Sequence, residues 1–469
     1  MTGLARRLRF GLTLLAASSL AGCNLAPAYH PPTMPVPDHF TPLPGWSEAA
    51  PADAAPRGAW WEAFGDPALN AFEARLTADN PDLQAAVARY DQASAYARQA
   101  RGALLPSASL QGSATRNRQS ADKPLRGSGQ PDVYSADQAN GVVGYELDLW
   151  GKLRNQLTSR KAMAQASDAD RAAAQLSLQA QLADSYFQLR GLDAQTRLLD
   201  DTVALYRKSR DLTAILYRGK LAAQMDVSRA EAQLGTAQAA LTEVHSRRAL
   251  LVDAIAVLVG AMPSDFAVTP ADLPPALPTV PEGVPSELLQ RRPDIASAER
   301  AMASANAGIG VARAAFYPSI SFNALGGFQS AGSDPFKTSD ILWSLGPSIN
   351  LPIFQGGRLK ADLDAAHARF REMSAQYRGT VLRAFREVED NRVLLSDLAK
   401  ERVFNDTTVA AATQTSNAAS DLYRAGTTNY LDVVTAQTSL FQAQQAALDV
   451  RTRQFVAAVD LVRALGGGW

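Results

Sequence analysis

The chain has 469 residues, enough for several domains. Lys plus Arg (46) equals Asp plus Glu (46), so the formal charge is zero, which argues against a nucleic-acid footprint. A single cysteine excludes a disulfide framework within one chain, and the four scattered histidines, His30, His39, His245 and His367, suggest no metal cluster.

The N-terminus reads as an export signal. Arg6, Arg7 and Arg9 precede an apolar run over 10–20, and small residues then lead to Cys23. Residues 1–22 are therefore expected to be a signal peptide and not a spanning helix. Leu20-Ala21-Gly22-Cys23 resembles the bacterial lipobox, in which the cysteine is diacylated and becomes the mature N-terminus. An ordinary signal cut beside an incidental thiol is the alternative. Asn24, in place of the aspartate linked with inner-membrane retention, implies an outer-membrane lipoprotein. No other run of about 18 apolar residues follows, so the mature chain is expected to have no membrane-spanning helix.

Residues 23–58 are rich in Pro and Ala and read as a tether or a surface-hugging arm. Folded structure begins at Trp60-Trp61-Glu62-Ala63-Phe64, and Asp66-Pro67 fits an N-cap with proline at the first helical position. Asn80-Pro81-Asp82-Leu83 starts a second helix that runs to about residue 104, before Pro106. The same signals recur from Arg292-Pro293-Asp294-Ile295 to Phe316-Tyr317-Pro318. Arg101 then pairs with Arg313, Pro106 with Pro318 and Ser107 with Ser319 at one constant offset, which predicts an internal duplication.

After each of these prolines the hydrophobic period changes to two. Ala108, Leu110, Gly112 and Ala114 alternate with Ser107, Ser109, Gln111 and Ser113, and Ile320, Phe322, Ala324, Gly326 and Phe328 share one face. Return strands follow, with Val143, Tyr145, Leu147 and Leu149 on one face, and Trp343, Leu345, Ile349, Leu351 and Ile353 on the other copy's equivalent. Strands are thus expected over 107–118, 133–149, 319–330 and 341–354. The pattern is that of transmembrane β-barrel strands, with a soluble half-buried sheet as the alternative. Aromatic residues at the strand ends, Trp150, Phe316, Tyr317 and Phe354, favour the membrane.

Long helical hairpins are expected over 153–260 and 359–465, in an Ala-, Gln-, Leu- and Arg-rich composition. Val227, Ala230, Leu234, Ala237, Leu241, Val244, Leu251, Ile255 and Leu258 form a coiled-coil seam that Arg248 interrupts. Val433, Ala436, Leu440, Ala443, Ala447, Val450, Ala457 and Leu461 repeat it. The hairpin turns also match: Leu216-Tyr217-Arg218 with Leu422-Tyr423-Arg424, and Asp226-Val227 with Asp432-Val433. Residues 262–292, rich in proline, connect the halves. Each half offers helices of about 24, 64 and 35 residues; the longest is ~95 Å, and the other two end to end are ~90 Å, so each half makes two columns of equal height. Four strands cannot close a barrel in lipid, so the chain is expected to oligomerise. Eight strands would give a plugged barrel and twelve an aqueous bore, and the long helices favour the trimer.

Cys23, the Trp60-Trp61…Phe64…Asp66-Pro67 opening, Leu147-Asp148-Leu149-Trp150-Gly151, Leu351-Pro352-Ile353-Phe354-Gln355-Gly356-Gly357 and the doubled turns together resemble the TolC-like outer-membrane factors, in their lipoprotein efflux-duct branch. The resemblance covers nearly the whole mature chain. It implies a mainly α chain with a membrane β-barrel portion and a two-fold internal repeat. Three copies would make a twelve-strand β-barrel continued by a twelve-helix coiled-coil α-barrel. The implied domains are a signal peptide (1–22), a lipidated arm (23–58), a first efflux repeat (59–261), an equatorial connector (262–292) and a second repeat (293–469).

The implied function is the exit duct of a tripartite efflux system in the outer membrane of a Gram-negative bacterium, lipid-anchored and reaching into the periplasm. Its implied partners are outer-membrane lipid, a periplasmic adaptor protein and a proton-driven inner-membrane pump, with no nucleic acid, cofactor, metal or catalytic residue. Arg218, Gly219, Lys220, Leu221, Arg424, Gly426 and Thr427 would meet the adaptor, and Lys220 stands where the family usually has glycine. Asp432, Tyr423 and Asp226 would hold the periplasmic gate, three copies of Asp432 forming an acidic ring that favours cations. Capping of the returning helix is the alternative role for Asp432. Thr428 occupies a position where some relatives carry an arginine. Two rival classes are a trimeric adhesin-type lipoprotein, which would place its barrel strands consecutively, and a cell-wall lipoprotein enzyme, for which no cluster of Cys, His or carboxylates is present.

Overall fold

The computed structural model describes residues 24–30, 58–120, 122, 129–278, 291–331 and 337–467; the signal peptide, Cys23 and most of the N-terminal arm lie outside them. The elements in chain order are α1 (Pro67–Asp79), α2 (Pro81–Gly102), β1 (Ser107–Arg118), β2 (Val133–Leu147), α3 (Lys152–Arg218) and α4 (Gln224–Leu258). Then come α5 (Pro293–Ala314), β3 (Ser319–Ser330), β4 (Ile341–Asn350), α6 (Arg358–Arg424) and α7 (Tyr430–Ala464). Helix α3 and helix α6 each have 67 residues, and α4 and α7 each have 35. The described residues form two compact units: one within 24–30, 89–168 and 297–377, the other within 58–88, 169–296 and 378–467.

The first unit is built on an antiparallel sheet of order β1-β2-β3-β4. Its register carries the sequence alternation across all four strands. Ala108, Val143, Ala324 and Leu345 form one row, and Leu110, Gly141, Gly326 and Trp343 the next. Leu147, Ile320 and Ile349 complete the same face, and Leu110 (91%) and Trp343 (76%) on it are exposed. The opposite face carries Ser107, Gln111, Glu146, Ser321, Asn323, Ser344 and Ser348.

Two of the expected strands end early. Strand β2 stops at Leu147, two residues short, because Asp148 turns to cap α3: its carboxylate accepts from the backbone N–H groups of Leu153 (3.0 Å) and Arg154 (2.9 Å). Strand β4 stops at Asn350, which faces Ser319, the first residue of β3. Beyond it Pro352 has no N–H to donate to a ladder. Trp150 stacks on Tyr317 at 4.8 Å and donates its indole N–H to the Pro318 carbonyl at 2.7 Å, which fixes the strand ends to the helix starts.

The second unit holds most of the long helices and α1. The expected seam is the packed one: Val227, Ala230, Leu234, Ala237, Val244, Ile255 and Leu258 are buried, as are Val433, Ala436, Ala443, Val450, Ala457 and Leu461. The Asp66 carboxylate accepts from the Ala68 and Leu69 N–H groups, so α1 starts where its Asp-Pro pair predicts. Trp60, Phe64, Phe187 and Phe455 fill the core beneath it.

A buried polar chain crosses this unit. Asp193 on α3 is fully buried between Arg190 (2.8 Å) and Arg248 (2.7 Å). Arg190 also donates to Tyr186 Oη, which donates to Asp66 at 2.6 Å. The same two arginines donate to the carbonyls of Thr269 and Val268, and Asp193 accepts from the Ala271 N–H. Arg248, which breaks the heptad seam, thus straps the connector to α3. Among the described residues, no helix is long and apolar enough to cross a membrane.

Two stability outcomes follow from these burials. Asp193→Ala leaves two guanidinium groups without their carboxylate, and chemical denaturation should register a loss of about 3–5 kcal/mol. Glu73 on α1 is fully buried with neither carboxylate oxygen hydrogen-bonded, and burial pushes its carboxyl from 4.5 to about 9. The protonated folded form is favoured, so this contribution is complete below pH 4.5 and is lost as pH rises through about 9. Melting temperature should therefore fall from pH 6 to 9 less steeply in Glu73→Gln than in the parent chain.

Candidate functional site

The two hairpin turns are built alike. In the second, the Gly426 N–H donates to the Tyr423 carbonyl (3.0 Å) and the Thr427 N–H to the Leu422 carbonyl (3.0 Å). In the first, the Lys220 N–H donates to Tyr217 (2.9 Å) and the Leu221 N–H to Leu216 (2.8 Å). Each is the paired bonding of a Schellman cap, whose C′ residue is left-handed. Gly426 meets that demand at φ 74°, and Lys220 adopts φ 61° in its place, the one non-glycine with positive φ among the described residues. The departure from the expected glycine therefore leaves the turn geometry intact and transfers the cost to one lysine backbone.

Both expected gate carboxylates stand in the first turn of a returning helix, where negative charge complements the helix dipole. Asp226 accepts from the Ala223 N–H at 3.3 Å and lies 3.7 Å from Arg229. Asp432 accepts from the Thr428 hydroxyl, while its own N–H donates to the Asn429 side chain at 3.1 Å. Asn429 is thus the N-cap of α7, and the Asp432 carboxylate contacts the Thr428 hydroxyl one turn earlier.

Tyr423 is not joined to Asp226. Its ring packs against Tyr430 at 5.4 Å, and its Oη is buried without a hydrogen-bond partner in the chain. Tyr430 and Val433 bury against Ala230 of the other hairpin, so the two turns of one chain share a small apolar cluster. Burial, with Tyr423, Tyr206 and Asp226 nearby, pushes the Tyr430 phenol up to about 12. Sequence reasoning missed Tyr430, although it lies three residues before Val433 on the seam face. Around the turns Leu221 (78%), Met225, Leu422 and Leu431 are exposed, beside Arg218 and an Arg424–Asp421 pair at 2.8 Å.

Cys23, expected to carry lipid, lies outside the described residues, but its neighbours are seated. Leu25 and Pro27 offer carbonyls to Arg313 (3.4 Å) and Asn306 (2.9 Å), and Tyr29 Oη donates to Glu299 at 2.7 Å. Residues 24–30 therefore run antiparallel to α5. Gly310 makes the seat possible, since a Cβ there would overlap Ala26 and Asn155.

Replacing Lys220 with glycine removes the left-handed penalty, roughly 1 kcal/mol, offset in part by the added backbone entropy of glycine. Amide hydrogen exchange at Gly219–Leu221 should slow in Lys220→Gly, and exchange at the Gly426 turn should stay as it is.

The model of the outer membrane efflux protein family matches residues 74–261 and again 284–467. The probable efflux pump outer membrane protein TtgC of Pseudomonas putida is 35% identical over 460 residues, covering 97% of this chain and 94% of its own. The cation efflux system protein CusC of Escherichia coli is 30% identical over 468 residues, 98% of each chain. Among solved structures, the outer-membrane channel OprN superposes with a TM-score of 0.86 at 29% identity, over 95% of this chain and 100% of that one. The chain belongs to the outer membrane efflux protein family.

Proposed function

We propose that the chain is the outer-membrane exit duct of a tripartite efflux system, carrying drugs or toxic compounds from the periplasm to the exterior by passive conduction. The sheet carries this reading. It has an apolar face, a polar face and two edge strands, β1 and β4. An open edge is not tolerated in lipid, and pairing β1 of one copy with β4 of the next removes both. A homotrimer closes twelve strands around an aqueous bore, with the helices forming a twelve-helix coiled-coil barrel in the periplasm. The equal lengths of α3 and α6 and of α4 and α7, and the two segments matched by the family model, support an internal duplication with repeats 59–261 and 293–469 about a connector at 262–292.

The seated arm supports lipid attachment at Cys23. Residue 24 is bonded directly to it, and Leu25 lies against the end of α5 that leads into β3. The signal peptide would then be 1–22 and the arm 23–58. The relatives' names support efflux; the cargo is selected by the inner-membrane pump, which is proton-driven. The exposed Leu221, Met225, Leu422 and Leu431, with Arg218, Gly219, Lys220, Arg424, Gly426 and Thr427, fit a periplasmic adaptor that lays apolar side chains between basic ones. Asp432, three copies of which would ring the bore, with Asp226 and Tyr423, forms the gate. A trimeric adhesin-type lipoprotein is the second reading, but β2 pairs with β3 across three intervening helices, where an adhesin barrel would use consecutive strands.

Purified protein in planar bilayers should conduct ions, and a chain that inserts without conducting refutes the duct. Asp432→Ala should raise single-channel conductance and weaken block by divalent cations. Unaltered conductance and block would leave Asp432 only its contact with Thr428.

A further inference from the structure

A cavity of about 80 Å³ lies at the second turn, between α3 and the α6–α7 pair. Tyr423, Tyr430 and Gln437 line it from one side, Lys208 and Ser209 from the other. Gln437 is 2% exposed, and its Nε2 donates to Ser209 Oγ at 3.2 Å, leaving Oε1 without a partner in the chain. Tyr423 Oη is likewise unpartnered. Tyr430 Oη is unpartnered too, so two buried phenol hydroxyls and one buried acceptor border the same small space, an arrangement that costs more than a made hydrogen bond returns unless something joins them.

The size and charge of the space restrict what can join them. A drug-sized molecule needs several hundred Å³, whereas a water needs only about 10–15 Å³. Lys208 and Arg424 on the wall oppose a cation, and the amide oxygen of Gln437 opposes an anion. We propose that the cavity is a hydration site in which ordered waters bridge Tyr423 Oη to Gln437 Oε1, with Ser209 as the third anchor. The seam between α3 and the second hairpin is then wet at the turn, while α3 meets α4 through the apolar cluster of Val203, Tyr206, Leu234 and Ala237. Parting a wet seam exchanges bridging water for bulk water and exposes little apolar area. This consequence for opening rests on the gate reading of Tyr423; the hydration site itself does not.

The test is a high-resolution structure of the full chain crystallised with bromide, together with unfolding of Tyr423→Phe, Gln437→Leu and the double variant. Water peaks within about 3.2 Å of both Tyr423 Oη and Gln437 Oε1 are expected. Each single substitution should lower the denaturation midpoint, and the double variant should fall no further than the weaker single one. An anomalous bromide peak, a direct side-chain bond to Tyr423 Oη, an empty cavity or fully additive shifts would each overturn the proposal. If the waters are present but Tyr423→Phe leaves channel conductance unchanged, the gate reading fails and the hydration site stands.

Discussion

Asp193 is held without solvent contact by two guanidinium groups, and much of the helical unit depends on that arrangement. A carboxylate stripped of water is tolerable only when its lone pairs are filled, and here Arg190, Arg248 and the Ala271 N–H fill them. The same guanidinium groups reach the Thr269 and Val268 carbonyls, so two backbone acceptors of the proline-rich connector are satisfied by side chains. Through Tyr186 the chain of bonds extends to Asp66, the cap of α1. One network therefore sets the start of a helix, the packing of α3 on α4 and the path between the two halves.

The sheet obeys a different constraint. Its residues were placed by alternation, and the register converts that alternation into one continuous apolar face only because β2 and β3 align without a slip. A shift of one residue in either strand would turn its apolar set onto the polar face. Family membership makes the chain an outer membrane channel, and the strand order gives its sheet the one apolar face that the proposed barrel requires.

The elements were legible wherever a local cause fixes them. Asp66-Pro67 and Asn80-Pro81 announce helix starts, and the heptad seam identifies the buried face of α4 and α7. The strand ends were overshot because the deciding interactions are not periodic: Asp148 is polar and in phase with β2, but its carboxylate serves α3. At the turns, Lys220 looked like a departure, yet the main-chain bonds around it equal those around Gly426, since a backbone conformation can be imposed on an unfavourable residue by the helices on either side. Asp193 and Arg248 lie 55 residues apart, and in sequence the arginine showed only as a break in the seam. The arm was read from its proline content as a tether or a surface-hugging segment, although the seated stretch uses carbonyl acceptors and one tyrosine, which leave no pattern.

The pairing of β2 with β3 sets the order in which the molecule can be made. Between them the chain runs through α3, α4 and α5, so the sheet's central ladder closes only after more than half of the polypeptide has emerged and its first hairpin has folded back. Such non-local pairing is slow, and until it forms the apolar faces of β1–β2 and β3–β4 are two separate, unprotected hairpins. Export through an aqueous compartment therefore exposes the nascent chain to aggregation for the time that closure takes.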